Sequence, residues 1–187
     1  MDSEDKNYNV ILTGFMGTGK TTVGRLLAEK LEFEFVDTDV LIEDRAGKTV
    51  AEIFVEDGER TFRQMERDAA RDLGEQVGQV IATGGRMMLD PENITSLAPT
   101  GSIFCLTASP DEILKRVMSD TAGMERPLLK GDDPKGRIKE LLAERQEKYG
   151  RFEQIETEAL KPQEICDQIV ERVVASNESD EVEASDA

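Results

Sequence analysis

The residues with the clearest chemical role lie near the start of the chain, where a glycine-rich segment ends in lysine and threonine. Residues 14–21 read GFMGTGKT and match the pattern G-x-x-x-x-G-K-[ST] in full. Glycines let backbone N–H groups converge on phosphate oxygens, and the N-terminus of a following helix adds the positive end of its dipole. The pattern predicts a nucleotide-binding loop in which Lys20 reaches the β and γ phosphates and Thr21 ligates Mg²⁺. The residues predicted to contact the nucleotide are Gly17, Thr18, Gly19, Lys20, Thr21 and Thr22.

The segments on either side of this loop have the periodicities that such a loop requires. Residues 9–13 (NVILT) form an apolar, β-branched run, and residues 20–31 carry Val, Leu, Leu and Leu at helical spacing. A chance glycine-rich turn is the alternative, and the predicted strand and helix make it the weaker one. The third glycine of G-x-G-x-x-G is absent, which excludes a dinucleotide fingerprint. Many NTPases share the loop, so it does not identify the acceptor of the phosphoryl group.

Two carboxylates, Asp37 and Asp39, follow the second predicted strand. Open α/β sheets bind their ligands at the carboxyl ends of their strands. Either carboxylate could hold Mg²⁺ through water, or could orient an acceptor hydroxyl and take its proton. The alternative is a helix N-cap, because Asp and Thr both cap helices well and a helical segment starts near Val40.

The rest of the chain alternates short apolar runs with longer helical patterns, which predicts one α/β domain with a parallel sheet and helices on both faces. Further strands are predicted at 34–36, 80–83, 102–107 and 154–156, and further helical segments at 50–73, 110–118, 134–149 and 162–174. Residues 119–133 lack periodicity and contain two glycines and a proline, so they are predicted to form a mobile lid. We predict a flexible acidic N-terminus over residues 1–8, a nucleotide-binding α/β domain over 9–174, and a disordered acidic tail over 175–187.

Composition limits the classes of function. The chain has 23 basic and 40 acidic residues and a net charge of −17, which disfavours nucleic acid and anionic membrane surfaces as partners. It has no histidine, which excludes histidine-based triads and zinc sites of Cys/His type. Cys105 and Cys166 lie in separate apolar segments and are predicted to be free thiols. The polar start of the chain does not have the pattern of a signal peptide, so a cytoplasmic location is expected.

Six motifs, taken together and in order, resemble the shikimate kinase family over residues 9–174. They are Gly14 to Thr22, Asp37-x-Asp39, Gly58-Glu59-x-x-Phe62-Arg63-x-x-Glu66, Thr83-Gly84-Gly85, Arg126-Pro127-Leu128-Leu129 and Arg145-x-x-x-Tyr149. The resemblance implies a three-layer P-loop kinase fold with strand order 2-3-1-4-5 and a mobile lid. It also implies a monomer that uses ATP and Mg²⁺.

The same resemblance implies a role for each matched residue. Lys20, Asp39 and Arg126 are the catalytic residues, with Asp39 as the base and Arg126 swinging over the phosphates. Asp39, Arg63, Gly84, Gly85 and Arg145 bind the substrate, and the two arginines clamp its carboxylate. Thr21 and Asp37 hold Mg²⁺. Arg116 and the segment near Lys161 flank the adenine.

Each of these residues also has a plainer interpretation. Arg63 could pair with Glu59 or Glu66 on its own helix, and Arg145 could pair with a carboxylate near it on an acidic helix. Gly84 and Gly85 could form an ordinary turn, and Arg126 could be a solvated loop residue.

The chain departs from the family pattern at Arg86, which follows Gly84 and Gly85 where a third glycine is usual. Its side chain could point away from the pocket, contact an anionic substrate, or block shikimate. Two further arginines of the family are absent, one from the stretch 92–97 and one near the adenine, where the chain has Glu158 to Lys161. We therefore expect a shikimate kinase. The alternatives are a P-loop kinase of another small hydroxy acid or polyol such as gluconate, and an inactive nucleotide-binding regulatory module.

Overall fold

The computed structural model of the chain describes residues 7–119 and 133–185. The predicted lid, including Arg126, therefore lies outside the described residues, apart from its two ends.

Five short strands form one parallel sheet. The strands are β1 (Asn9–Thr13), β2 (Glu34–Asp37), β3 (Gln79–Ala82), β4 (Gly101–Thr107) and β5 (Glu153–Glu156). Their order in the sheet is β2-β3-β1-β4-β5. Ile11 in the central strand lies opposite Ile81 on one side and Ile103 on the other. The predicted fold class and strand order are confirmed.

Helices cover both faces of this sheet. They are α1 (Lys20–Leu31), α2 (Thr38–Ala46), α3 (Val50–Glu56), α4 (Gly58–Gly74), α5 (Pro91–Leu97), α6 (Pro110–Ser119), α7 (Pro134–Tyr149) and α8 (Pro162–Ser185). Val10 and Leu12 pack with α1 and α8 in one apolar cluster, whereas Ile11 packs with α4 and α5 in another. Because successive side chains of a strand point to opposite faces, β1 is buried on both sides, as its continuous apolar sequence predicts.

The helical region predicted at 50–73 is two helices rather than one. Thr49 and Glu52 form a capping box at the start of α3, and the helix ends at Asp57. Gly58 then has a φ of 84°, a conformation that glycine adopts more readily than other residues. The prediction of a single helix was wrong because it ignored this glycine.

Helix α2 corresponds to the helical segment that was expected to start near Val40, and Asp37 caps it. Helix α5 was not predicted, although its signals were present, since Asp90 caps it and Pro91 is at its first position. Helix α8 also runs past Val174, where we predicted its end, and its backbone is helical through part of the predicted disordered tail. No glycine or proline follows Pro162, so the sequence contains no residue that would stop the helix.

Both cysteines and all the described helices agree with a chain that has free thiols and no long apolar helix. Cys105 and Cys166 are buried and free, as predicted. Within residues 7–119 and 133–185, no helix combines the length and apolar character needed to cross a membrane.

Burial of β1 gives a direct test of the core. Val10 has no exposed surface, whereas Val55 on α3 is 86% exposed. Val10→Ala should lower the free energy of unfolding by about 2–3 kcal/mol, because it removes buried methyl groups and leaves a cavity. Val55→Ala, the same chemical change on the surface, should alter it by less than about 0.5 kcal/mol. Urea denaturation of both variants measures the difference, and equal effects would contradict the described burial.

Candidate active site

The glycine-rich loop lies between β1 and α1 and is stabilised by contacts among its own residues. Gly17 and Gly19 have φ values of 75° and 97°, which disfavour other residue types. The Thr18 hydroxyl is buried and donates to the Phe15 carbonyl at 2.8 Å. Gly19 caps α1 and has no side chain, so the N–H groups at the start of this helix are left for a ligand.

Lys20 is held by backbone carbonyls rather than by a carboxylate. Its Nζ donates to the carbonyls of Gly14 at 2.9 Å and Phe15 at 3.0 Å. Among the described residues, no carboxylate forms an ion pair with it. Burial lowers the pKa of Lys20 to about 8, although the negative charges of Asp39 and Asp37 oppose this shift. A phosphate group at this position would therefore meet an ammonium group that is not already neutralised.

Asp37 serves the local backbone and Thr21 at the same time. It is the last residue of β2 and the N-cap of α2, where its Oδ1 accepts from the Asp39 N–H at 3.1 Å. Its Oδ2 accepts from the Thr21 hydroxyl at 3.0 Å. Asp37 therefore does cap the helix, as the alternative interpretation proposed. Its other carboxylate oxygen lies at the hydroxyl of Thr21, the residue predicted to ligate Mg²⁺. This pair fits Mg²⁺, which takes few protein ligands and completes its shell with water and phosphate oxygens.

Asp39 lies against Gly84 at the neighbouring strand end. A Cβ atom on Gly84 would lie 2.6 Å from Asp39 Oδ1, so any other residue there would force the carboxylate to move. The Gly84 N–H donates to the Thr38 hydroxyl at 2.9 Å, which fixes the two segments relative to each other. Burial raises the pKa of Asp39 to about 6, with a further contribution from the charge of Asp37, while Lys20 opposes the shift. This carboxyl group can therefore accept a proton near neutral pH.

Arg63 forms both of the ion pairs that were considered as alternatives to substrate binding. Its Nη1 donates to Glu66 Oε2 at 2.6 Å, and its Nε and Nη2 donate to Glu59 Oε1 at 3.2 and 3.0 Å. The Glu66 side chain is 2% exposed, whereas that of Glu59 is 53% exposed. Burial raises the pKa of Glu66, and the ion pair with Arg63 opposes this shift. Arg63 is therefore anchored by Glu66 and is more loosely held by Glu59.

Arg145 lies on α7 and has a different environment. It is 7% exposed, and its guanidinium lies 5.2 Å from the centre of the Phe15 ring. In the part of the chain that the structure describes, it forms no ion pair with a carboxylate. One helical turn later, the Tyr149 hydroxyl donates to the Gly85 carbonyl. Helix α7 therefore places a buried cation beside Phe15 of the glycine-rich loop and a tyrosine against Gly85.

Arg86 and Arg116 both donate hydrogen bonds to other groups of the protein. Arg86 is exposed and its Nη1 donates to Glu59 Oε1 at 3.0 Å, so Glu59 binds Arg63 and Arg86 together. Arg116 donates to the Gly17 carbonyl at 3.3 Å and to the Thr157 carbonyl at 2.8 Å. It therefore links the nucleotide loop to the segment after β5.

Sequence reasoning missed several supporting residues of the site. Glu59 was named as part of a motif and as a possible partner of Arg63, but its contact with Arg86 was not foreseen, nor were the contacts of Thr38, Tyr149 and Thr157. Tyr149 was part of a quoted motif, which is a signal that could have identified it. The contacts of Thr38 and Thr157 depend on side chains that meet only in the folded chain.

The geometry defines a class of protein. A phosphate-binding loop, a carboxylate with a raised pKa and a buried cationic side chain meet at the carboxyl ends of a parallel sheet with P-loop kinase topology. This combination is typical of an ATP-dependent small-molecule kinase.

Comparison with known proteins identifies the family. The family model described as "Shikimate kinase" matches residues 16–174. A shikimate kinase of Thermodesulfovibrio yellowstonii is 45% identical over 163 residues, which are 87% of this chain and 92% of that protein. The structure of an Acinetobacter baumannii shikimate kinase in complex with shikimate has a TM-score of 0.82 at 33% identity, and covers 90% of this chain and 94% of its own. The chain belongs to the shikimate kinase family.

A more distant structure shares only the fold. A gluconokinase from Sinorhizobium meliloti has a TM-score of 0.61 at 14% identity, with 95% of this chain and 97% of that chain covered. The P-loop kinase architecture thus extends beyond the family.

The environment of Asp39 predicts a pH-dependent cost in stability. The Asp39 carboxyl group binds its proton more tightly in the native state than in the unfolded chain, because burial raises its pKa to about 6. Ionised Asp39 therefore lowers the free energy of unfolding. This loss of stability is complete above about pH 6 and disappears below about pH 4. Asp39→Asn should therefore raise the free energy of unfolding by about 1–3 kcal/mol at pH 7.5, and by roughly half as much at pH 5. Denaturant titrations at the two pH values measure the gain.

The control is Asp44→Asn, which changes an exposed aspartate on the same helix. It should produce no comparable gain at either pH. A loss of stability in Asp39→Asn at pH 7.5 would contradict the described environment of Asp39.

Proposed function

We propose that this protein transfers the γ-phosphoryl group of ATP to the 3-hydroxyl of shikimate, giving shikimate 3-phosphate and ADP. The observation that carries the proposal is the position of Asp39, which lies against Gly84 with a raised pKa and shares a sheet edge with the phosphate loop. Membership of the shikimate kinase family supports the choice of acceptor. The product is an intermediate on the route to aromatic amino acids.

The nucleotide is bound by the glycine-rich loop. Gly17, Thr18, Gly19 and the start of α1 supply backbone N–H groups to the phosphates, and Thr22 lies on the first turn of this helix. Lys20 leaves its carbonyl partners to contact the β and γ phosphates, whose negative charge returns its pKa toward the ordinary range. Thr21, and Asp37 through water, would hold Mg²⁺, which would neutralise phosphate charge when bound.

The acceptor hydroxyl is oriented by Asp39. With a pKa of about 6, its carboxylate is mostly ionised at neutral pH and yet basic enough to take the hydroxyl proton as the phosphorus–oxygen bond forms. The backbone of Gly84 lies close to this carboxylate because no side chain fills the space there, and the acceptor is bound beside Gly84 and Gly85. The hydroxyl thus faces the γ-phosphate from the carboxyl end of β3.

The carboxylate of the acceptor is bound by Arg145 and Arg63. A guanidinium fork matches a carboxylate with two parallel hydrogen bonds, and a buried one does so with little competition from water. The structure of the Acinetobacter baumannii relative contains shikimate, which is an acid of this kind.

The remaining assignments complete the proposal. Arg126, in the lid of residues 119–133, neutralises charge on the transferred group, and Arg116 and the segment near Lys161 flank the adenine. The kinase domain spans residues 9–174, and the protein acts as a cytoplasmic monomer.

A coupled assay of ADP release tests the proposal. With Mg-ATP, shikimate should stimulate ADP release strongly, whereas quinate and gluconate should stimulate it weakly. Lys20→Met should reduce the shikimate-dependent rate by about 10²-fold or more, since it removes a cation from the transferring phosphates. The variant serves as the control for a contaminating kinase, and circular dichroism verifies its fold.

The other outcomes of the same assay have definite meanings. Stimulation by gluconate or quinate alone would reject shikimate as the acceptor and retain the kinase mechanism. Tight ATP binding without turnover of any acceptor would favour an inactive regulatory module.

A further inference from the structure

Arg86, which stands where the family usually has a third glycine, shares a carboxylate oxygen with Arg63. Arg86 Nη1 donates to Glu59 Oε1 at 3.0 Å, and Arg63 Nε and Nη2 donate to the same oxygen at 3.2 and 3.0 Å. Each carboxylate oxygen has about two lone-pair sites, so three donors crowd this one oxygen. The two arginines therefore share Glu59 through the same atom.

Arg63 cannot offer its whole guanidinium to an acidic substrate while Glu59 remains bound to it. The Nε and Nη2 edge is one that binds a carboxylate through two parallel hydrogen bonds, and Glu59 occupies this edge. The Nη1 atom donates to Glu66, which is 2% exposed and keeps the guanidinium in place. A substrate carboxylate that uses the Nε and Nη2 edge must therefore displace Glu59.

We propose that Arg86 is a positioning residue that retains Glu59 when the substrate carboxylate displaces it from Arg63. The inference rests on the proposed function, because it requires an acidic acceptor. Glu59 keeps a charge-assisted hydrogen bond to Arg86 after the exchange, so substrate binding does not leave this carboxylate unpaired. Among the described residues, Arg63 and Arg86 are the only side chains paired with Glu59, so without Arg86 this carboxylate competes with the substrate for Arg63.

The size of the effect follows from exposure. The side chains of Arg86 and Glu59 are 51% and 53% exposed, so the ion pair between them is screened by water. Exposed ion pairs change an equilibrium by about two- to fivefold, and salt reduces this further. Arg86 should therefore adjust the affinity for the acidic acceptor without determining the rate of phosphoryl transfer.

A double-mutant cycle between Arg86→Met and Glu59→Gln tests this inference. Calorimetry gives the Kd for shikimate, and the ADP assay gives KM and kcat. When Glu59 is present, Arg86→Met should raise the Kd and the KM for shikimate by about two- to fivefold, and this rise should disappear at high salt. It should leave kcat and the KM for ATP unchanged. Arg86→Lys, which keeps the positive charge, should retain part of the affinity for shikimate. When Glu59 is replaced by Gln, Arg86→Met should change neither the Kd nor the KM for shikimate.

The control is Arg45→Met, which removes another exposed arginine, one that pairs with Asp72 at 2.7 Å. It should leave the Kd for shikimate unchanged, and thermal unfolding should verify that every variant folds. An equal rise in Kd in both backgrounds would overturn the inference, because Arg86 would then contact the substrate itself. No rise in Kd, or a fall in kcat alone, would also overturn it. A wild-type protein that neither binds nor phosphorylates shikimate would instead refute the proposed function, and the inference with it.

Discussion

The site depends on keeping two opposite charges at one sheet edge without letting them neutralise each other. Lys20 donates to the carbonyls of Gly14 and Phe15, and Asp39 lies against Gly84 instead of against the ammonium group. Burial moves the pKa of Lys20 down to about 8 and that of Asp39 up to about 6. Each group is therefore closer to its neutral form than usual. Lys20 is available to a phosphate group, and Asp39 is available to a hydroxyl group that donates a hydrogen bond.

The strand order supplies this separation. Strand β3 lies between β1, which leads into the glycine-rich loop, and β2, which leads to Asp37 and Asp39. Gly84 follows β3 and so lies between the nucleotide loop and the two carboxylates. Because Gly84 has no side chain, Asp39 can occupy the space above this strand. A P-loop sheet with a bulky residue after β3 could not hold Asp39 in this position.

Sequence alone predicted the parts of the molecule that depend on local pattern. Most of the strands and α1 follow from apolar runs and the glycine-rich motif, whereas α5 and the break at Gly58 were missed because one short cap and one glycine were overlooked. The environment of Asp39 could not be predicted, because it results from burial against Gly84, 45 positions later in the chain. The sharing of Glu59 between Arg63 and Arg86 likewise joins α4 to a loop 27 residues away.

The pKa of Asp39 in the free protein tests this account most directly. Carbon-detected NMR of ¹³C-labelled side-chain carboxyl groups, titrated between about pH 3 and pH 8 and assigned by comparison with Asp39→Asn, measures it without requiring turnover. A midpoint of about 6 would agree with a buried carboxyl group that is kept apart from Lys20. A midpoint at or below about 4 would contradict the account, because it would mean that Asp39 is ion-paired or exposed to water.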